Sequence, residues 1–272
     1  HACPHSFTDT IIYTWKTNKD DNVRSYALGK EIIRILGNEP ENPVYDEIKQ
    51  SADQFGKKSV WIVGGDGWAY DIGFGGLDHV LASGENINIL VLDTECYSNT
   101  GGQMSKATPL GAIAKFASAG KRSNRKNLGR MLMTYDNVYV ASIALGANKQ
   151  QSINALMEAE AYNGPSIVIA YCPCINHGIR KGMGTSMYEE KHAVSSGYWP
   201  LYRFNPVLAE SGKSPFILDY MKPDGTMPDF LDGENRYAYL METLPDEAKI
   251  LREKLQKTCD KVYQTLHKEG VD

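Results

Sequence analysis

Cysteine is scarce in this 272-residue sequence, which contains five. That number is too small for a disulfide scaffold in a chain of this length, and an odd count leaves at least one thiol unpaired. The scarcity argues against the small, disulfide-rich secreted proteins. We therefore expect a reducing compartment and a cytoplasmic location.

Long apolar runs and a strong net charge are lacking as well. No run of about 18 apolar residues occurs, and residues 1–7 have neither the basic start nor the apolar stretch of a signal peptide. The formal net charge is only −4, so a surface for nucleic acid or anionic membrane is not the dominant feature. We expect a soluble protein whose partners are small molecules or proteins, with no nucleic acid and no membrane among them.

Short continuous apolar runs are the main feature that the sequence does contain. They predict strands buried on both faces of a sheet, and they lie at residues 60–63, 87–92, 138–143 and 166–171. Helical patterns separate them, most clearly at residues 110–119 and 147–162. The alternation predicts an α/β fold with a mostly parallel sheet flanked by helices, which binds ligands at the carboxyl ends of its strands.

The segments before and after this core have a different pattern of apolar residues. Helical patterns occur at residues 23–36 and 47–55, and short candidate strands at 202–204 and 216–218. A charged segment at 245–268 predicts a terminal helix with these apolar residues roughly on one face: Ala248, Leu251, Leu255, Val262 and Leu266. We interpret the domain organisation as an unplaced tail (1–22), one cofactor-binding domain (23–221) and a mainly helical C-terminal extension (222–272).

Oxygen ligands follow two of the predicted strands. Asp66 lies between Gly65 and Gly67 after the first, and Thr94 follows the second. A carboxylate there suits Mg²⁺, which takes one or two protein carboxylates together with phosphate oxygens. A Gly-Asp-Gly sequence alone is also a common turn, and Asn-Thr-Gly-Gly an ordinary loop, so the metal hypothesis depends on their joint occurrence.

The amino-acid sequences of these loops resemble those of one family, the pyruvate:ferredoxin (or flavodoxin) oxidoreductases. The segments that carry the resemblance are residues 64–73 (GGDGWAYDIG), 93–103 (DTECYSNTGGQ), 105–111 (SKATPLG) and 173–178 (PCINHG). The similarity is continuous from about residue 57 to about residue 220. It implies a thiamine-diphosphate-binding domain that forms the last part of a much longer, multidomain enzyme.

The resemblance also implies residue roles at the diphosphate site. Asp66 and Thr94 would bind Mg²⁺ through side-chain oxygens and Cys96 through its backbone carbonyl, and the cation would hold the diphosphate. The side chain of Cys96 is then incidental, and we expect a buried thiol that merely packs beside the site.

Further positions would contact the cofactor itself. Gly65, Gly67 and Trp68 match cofactor-binding positions, and Asn99 matches a catalytic position whose amide faces the thiazolium ring and the bound 2-oxo acid. A structural loop role for Asn99 and a core position for Trp68 are the alternatives.

Cys174 matches a thiolate ligand of the family's proximal 4Fe–4S cluster. Such a cluster takes four cysteines, and before Cys96 this sequence offers only Cys3. We therefore expect the chain alone to be unable to complete the cluster. A small metal site built from Cys172, Cys174 and His177 is the competing hypothesis, although tetrahedral zinc needs a fourth ligand.

A basic group occurs in the middle of the chain. Its residues are Lys115, Lys121, Arg122, Arg125, Lys126 and Arg130. They are candidates for contacting an anion such as coenzyme A, but charge runs are usually solvated, and we expect a surface loop.

The activity that the resemblance implies is oxidative decarboxylation of pyruvate to acetyl-CoA and CO₂. Electrons would pass through iron–sulfur clusters to ferredoxin or flavodoxin, and the remaining domains of a homodimeric enzyme would be partners. The alternatives are another 2-oxoacid:ferredoxin oxidoreductase, a thiamine decarboxylase without electron transfer, and an inactive fragment that retains the fold.

Overall fold

The structure, a computed structural model, describes residues 4–19 and 21–271. The chain divides into two compact units that separate after residue 60. The first unit is helical, and the second contains the predicted α/β core. The domain boundaries expected after residues 22 and 221 remain interpretations of the sequence.

The first unit, as far as it is described, contains α1 (Pro4–Thr17), α2 (Asn22–Gly37), α3 (Pro43–Gln50) and a 3-10 turn (Ala52–Phe55). The helix predicted at 23–36 is confirmed as α2. The single helix predicted at 47–55 is wrong, because Asn42 caps a helix that begins at Pro43 and ends at Gln50. The remaining residues of that stretch form the tighter 3-10 turn.

A six-stranded sheet organises the second unit. Its strands are β1 (Trp61–Gly65), β2 (Asn88–Asp93), β3 (Tyr139–Ile143), β4 (Ser166–Tyr171), β5 (Tyr202–Phe204) and β6 (Phe216–Leu218). They lie in the order β1-β2-β4-β3-β5-β6; the first four are parallel, and β5 and β6 are antiparallel. The predicted fold class and the six predicted strands are confirmed.

The helices of the second unit are α4 (Phe74–Ala82), α5 (Leu128–Met133), α6 (Lys149–Ala161), α7 (Ser186–Ser195), α8 (Val207–Glu210), α9 (Met227–Gly233), α10 (Asn235–Thr243) and α11 (Pro245–Val271). Short helical turns occur at Gly67–Ile72 (π) and Met183–Thr185 (3-10). The helix expected at 147–162 is confirmed as α6, which Asn148 caps by accepting a hydrogen bond from the backbone N–H of Gln151.

The long terminal helix α11 confirms the helix predicted at 245–268. It contacts α10 and β6. The predicted apolar face is the buried one: Ala248, Leu251, Leu255 and Leu266 belong to the main core cluster, and Val262 packs against it. In the described part of the chain, no helix combines the length and the apolar character needed to cross a membrane.

The helix predicted at residues 110–119 is wrong. That stretch is a series of turns and isolated bridges. Gly111 and Phe116 have φ angles of 81° and 70°, in the left-handed region that interrupts a right-handed helix. The backbone N–H of Lys115 donates instead to the carbonyl of Gly102, which ties the stretch to the loop that follows β2. Apolar spacing suggested a helix because it does not report backbone handedness.

Candidate cofactor site and thiol cluster

Three oxygen atoms converge at the carboxyl ends of β1 and β2. These neighbouring strands are parallel, with Gly65 in register with Leu92, so the residues after them meet at one edge of the sheet. The hydroxyl Oγ1 of Thr94 lies 3.0 Å from Oδ1 of Asp66 and 3.0 Å from the backbone carbonyl oxygen of Cys96. The structure therefore brings together the three positions that the sequence predicted for a metal.

The spacing of these oxygens fits a magnesium ion. In an octahedral site with Mg–O bonds of about 2.0–2.1 Å, neighbouring ligand atoms lie about 2.9 Å apart. The hydroxyl of Thr94 also has a single proton for two acceptors, Asp66 and the Cys96 carbonyl. A cation among the three atoms would remove this mismatch, because the oxygens would then act as ligands. The donor set thus fits the cation implied by the resemblance.

Asp66 is held in an unusual electrostatic environment. It is 1% exposed, and Ser105 Oγ donates a hydrogen bond to its Oδ2 at 2.6 Å. Burial and, to a smaller extent, the nearby carboxylate of Asp93 raise the pKa of Asp66 to about 7, against the lowering effect of the hydrogen bonds from Ser105 and Thr94. Without a cation the carboxyl group therefore takes up a proton near neutral pH.

The segment after Asp66 is a π-helical turn, a rare geometry that occurs frequently at functional sites. A side chain at Gly67 would place its Cβ 2.4 Å from the ring of Tyr97, whose hydroxyl donates to the Gly67 carbonyl at 3.2 Å. Glycine is thus required for contact with the loop after β2. The Trp68 ring lies against Gly64 and Gly73 and packs on the core, in agreement with the core alternative for this residue.

The predicted catalytic residue, Asn99, is exposed in the loop after β2. That loop closes on itself, since the backbone N–H of Tyr97 donates to the carbonyl of Gln103 and that of Gly102 donates to the carbonyl of Tyr97. Asn99 is therefore carried on a tight, hydrogen-bonded loop just beyond the oxygen cluster.

A buried charge network lies beside the oxygen cluster, and sequence analysis missed it. Arg125 donates to Asp93 at 2.7 Å and to Glu95 at 2.8 Å. The other oxygen of Glu95 accepts from Arg236 at 2.9 Å and from the hydroxyl of Tyr198 at 2.6 Å. Asp93, Glu95 and Arg236 are at most 1% exposed. This network fixes Glu95, which has a φ of 62°, in the middle of the loop that carries Thr94 and Cys96.

The expectation that the basic group forms a solvated surface loop is wrong for two of its members. Arg125 is the cation that Asp93 and Glu95 share. Lys121 is 7% exposed, and its ammonium group donates to the carbonyls of Thr108 at 2.6 Å and Ser105 at 3.3 Å. Composition alone does not distinguish such internal cations from surface ones, because their partners come from distant parts of the sequence.

A thiol cluster occupies the other side of the same loop. The Sγ atoms of Cys96 and Cys174 lie 3.3 Å apart, and Nδ1 of His177 lies 3.3 Å from Cys174 and 3.8 Å from Cys96. Both thiols are 2% exposed. Hydrogen bonds from Cys96 and His177 lower the pKa of the Cys174 thiol. Cys96 therefore points its carbonyl towards Thr94 and its thiol towards Cys174.

Glycine brings the two loops of this cluster together. Gly102 has a φ of 83°, and a Cβ at this position would lie 2.2 Å from Nδ2 of Asn176 in the cysteine loop. The competing metal site of Cys172, Cys174 and His177 is not the arrangement found. Cys96 takes the place of Cys172, whose thiol donates to the Ala170 carbonyl at 3.6 Å.

Comparison with known proteins identifies the family of this chain. A family model for the C-terminal TPP-binding domain of thiamine pyrophosphate enzymes matches residues 48–170. A pyruvate:ferredoxin oxidoreductase from Moorella thermoacetica is 56% identical over 243 residues, which cover 87% of this chain and 21% of that protein. The chain is a homologue of the pyruvate:ferredoxin oxidoreductases. It carries their thiamine pyrophosphate-binding domain.

Two further relatives support this assignment. A pyruvate-flavodoxin oxidoreductase from Klebsiella pneumoniae is 53% identical over 238 residues, covering 87% of this chain and 20% of its own length. A mitochondrial, NADP(+)-named pyruvate dehydrogenase from Euglena gracilis is 47% identical over 247 residues, covering 90% of this chain and 14% of its own length. The chain spans about a fifth of the length of the first two curated relatives that it matches.

Proposed function

We propose that this chain supplies the magnesium–diphosphate site and one cluster ligand of an enzyme that oxidatively decarboxylates pyruvate to acetyl-CoA and CO₂. The three relatives described above are all named for pyruvate, which favours pyruvate over other 2-oxo acids. Electrons would pass through iron–sulfur clusters to ferredoxin or flavodoxin, and coenzyme A would accept the acetyl group. The other domains of the enzyme, in a homodimer, complete the site.

The observation that carries this proposal is the convergence of Asp66, Thr94 and the Cys96 carbonyl at one edge of the sheet. These atoms would hold Mg²⁺, and the cation would neutralise the diphosphate of the cofactor. When bound, thiamine diphosphate would supply a nucleophilic thiazolium carbon and a ring able to delocalise an electron pair. The protein contributes binding, orientation and exclusion of water.

Individual residues perform these tasks. Gly65 and Gly67 allow the backbone to approach the diphosphate, and Ser105 fixes the orientation of the Asp66 carboxylate through its hydrogen bond. Asn99, at the exposed loop, orients the 2-oxo acid with its amide. Trp68 lies in the π-helical turn that follows Asp66 and packs on the core.

Cys174 has a separate role, as a thiolate ligand of the proximal 4Fe–4S cluster. Its thiol lies 3.3 Å from that of Cys96, so the cysteine loop after β4 packs against the loop after β2 that carries Thr94 and Cys96. Electron transfer over a short path needs such proximity between cofactor and cluster. A thiamine decarboxylase without electron transfer would have no use for this thiolate.

A chimera tests the proposed function. The corresponding fifth of the Moorella thermoacetica relative is replaced by this chain, and pyruvate-dependent, CoA-dependent dye reduction is measured. Activity above that of a Cys174→Ala chimera supports the assignment. A chimera that binds thiamine diphosphate stoichiometrically but reduces no dye with pyruvate would contradict it.

A further inference from the structure

A cavity of about 250 Å³ is lined by α5, α11, the segment 197–202 and residues of β3 and β4. We propose that this cavity binds a small, largely apolar monocarboxylate, whose carboxylate accepts hydrogen bonds from Trp199 and Arg130. The inference goes beyond the proposed function. Among the described residues that line the cavity, none is a proposed ligand of magnesium, of the diphosphate or of the cluster.

The walls of the cavity are mostly apolar. They include Leu128 on α5, Ile169 on β4, and Leu255 and Leu266 on α11, each at most 5% exposed. An apolar cavity of about 150 Å³ can hold one benzene molecule, so this larger cavity has room for a ring with a short chain. Transfer of such a ligand from water into the cavity is favourable, because it buries apolar surface on both sides.

Two buried N–H donors of the lining have no acceptor among the described residues. They are Nε1 of Trp199, whose residue is 3% exposed, and Nη1 of Arg130. A buried donor without an acceptor is costly, so each of these groups calls for a partner from outside the chain. A carboxylate offers two acceptor oxygens and no donor, which complements a pair of donors.

The charge of the lining also favours an anion. The described residues that line the cavity include no carboxylate but three cations, Arg125, Lys126 and Arg130. Arg125 already pairs with Asp93 and Glu95. Arg130 donates through Nη2 to Glu269 at 2.7 Å, which leaves its Nη1 for a ligand. Hydrogen bonds between a guanidinium and a carboxylate are among the stronger ones in proteins.

The loop before α5 gives the cavity a route to solvent. Asn124 and Asn127 belong to the lining and are exposed. Asn127 also caps α5, since its side chain accepts a hydrogen bond from the backbone N–H of Arg130 at 3.1 Å. On the same helix, a Cβ at Gly129 would lie 2.1 Å from the hydroxyl oxygen of Tyr202, so glycine allows the helix to approach that ring. The wall that carries Arg130 is therefore fixed at both of these points.

The indole N–H signal of Trp199 in an NMR spectrum is the readout for this site. The chain contains four tryptophans, so Trp199→Phe identifies the signal by its loss. Titration of the isotope-labelled 272-residue chain with phenylpropanoate should shift this signal saturably, with one ligand per chain. Phenylpropylamine is the matched control ligand, because it has the same ring and chain length but a cationic group that cannot accept a hydrogen bond. It should bind at least about tenfold more weakly.

Two variants locate the binding. Val262 on α11 lines the cavity, so Val262→Phe should fill it and abolish the shift. Ile250→Phe is the matched control on the same helix, because Ile250 is 49% exposed, and it should bind normally. Arg130→Met adds no large side chain and should weaken phenylpropanoate binding at least about tenfold, which keeps the test independent of any misfolding in Val262→Phe.

Several results would overturn the inference. A Trp199 signal that phenylpropanoate does not shift would show that the cavity holds water only. Equal affinities for phenylpropanoate and phenylpropylamine would show that the unpartnered donors do not select a carboxylate. Unchanged affinity in Arg130→Met, or in folded Val262→Phe, would place the ligand elsewhere. None of these substitutions changes a residue of the proposed magnesium or cluster sites, so their outcome is independent of the proposed function.

Discussion

The hydroxyl of Thr94 lies 3.0 Å from the carboxylate of Asp66, although 28 positions separate the two residues in the chain. The parallel pairing of β1 with β2 produces this contact, because it places the ends of both strands at one edge of the sheet. The Cys96 carbonyl lies equally close to the same hydroxyl. Sheet topology thus creates an oxygen pocket that local sequence only suggests.

The affinity for Mg²⁺ should rise with pH through neutrality. Burial raises the pKa of Asp66 to about 7, so a proton competes with the cation below that value. Calorimetric titrations of Mg²⁺ with thiamine diphosphate, on the chimera at several pH values, should show tighter binding at pH 8 than at pH 6. Ser105→Ala removes a hydrogen bond to the carboxylate and should move the transition to higher pH. A flat profile from pH 6 to pH 8 would contradict the role of Asp66.

The carboxyl group of Asp66 should make the cation-free chain less stable as the pH rises. Its pKa in the folded state, about 7, lies above the ordinary value of 3.8 for an aspartate, so the folded state binds the proton more tightly than the unfolded state. This contribution to the free energy of unfolding is fully present below pH 3.8 and is lost as the pH approaches 7. Urea unfolding of Asp66→Asn and of the unmodified chain, between pH 5 and pH 8, isolates this contribution, since the amide does not titrate. An equal dependence of the free energy of unfolding on pH in both proteins would contradict the prediction.

The stability of the chain should depend on Arg236, the fully buried cation of the charge network. Arg236→Met leaves Glu95 and Glu234 without the guanidinium that pairs with both of them. Removing one partner of a buried ion pair typically costs about 3–5 kcal/mol. Urea unfolding monitored by circular dichroism measures this loss.

Arg180→Met is the control for that experiment. Arg180 pairs with Glu242 at 2.7 Å, but both side chains are more than half exposed. A surface pair of this kind contributes at most about 1 kcal/mol. Equal losses of stability in the two variants would show that burial of Arg236 is not the cause.

The 272-residue chain should not assemble a 4Fe–4S cluster by itself. Such a cluster takes four thiolates, and the described residues bring one further thiol, that of Cys96, to Cys174. Burial raises the pKa of Cys172 and Cys259 to about 12, which keeps both as thiols. Reconstitution with iron and sulfide under anaerobic conditions should give no stoichiometric cluster absorbance. A stoichiometric cluster together with pyruvate-dependent dye reduction would show that the site is complete.

The four parallel strands were predictable because each is a short apolar run with β-branched residues and little competing helical signal. The turns at 110–119 were not predictable, since the spacing of apolar residues does not reveal the positive φ angles of Gly111 and Phe116. Arg125 and Lys121 were assigned to the surface because their carboxylate and carbonyl partners are distant in the sequence. Cys96 was expected as a buried thiol beside the site, and it is buried, but its contact with Cys174 spans 78 positions and required the fold.

The central claim is that Asp66 binds magnesium and, through it, the diphosphate. The most direct measurement is calorimetry of thiamine diphosphate binding to the chimera, with and without Mg²⁺, for the unmodified protein and for Asp66→Ala. Asp78→Ala is the control, because Asp78 on α4 accepts its hydrogen bond from Tyr135 and not from the oxygen cluster. The account predicts that Asp66→Ala abolishes Mg²⁺-dependent binding while its circular dichroism spectrum is retained, and that Asp78→Ala binds normally. Unchanged Mg²⁺-dependent affinity in Asp66→Ala would contradict it.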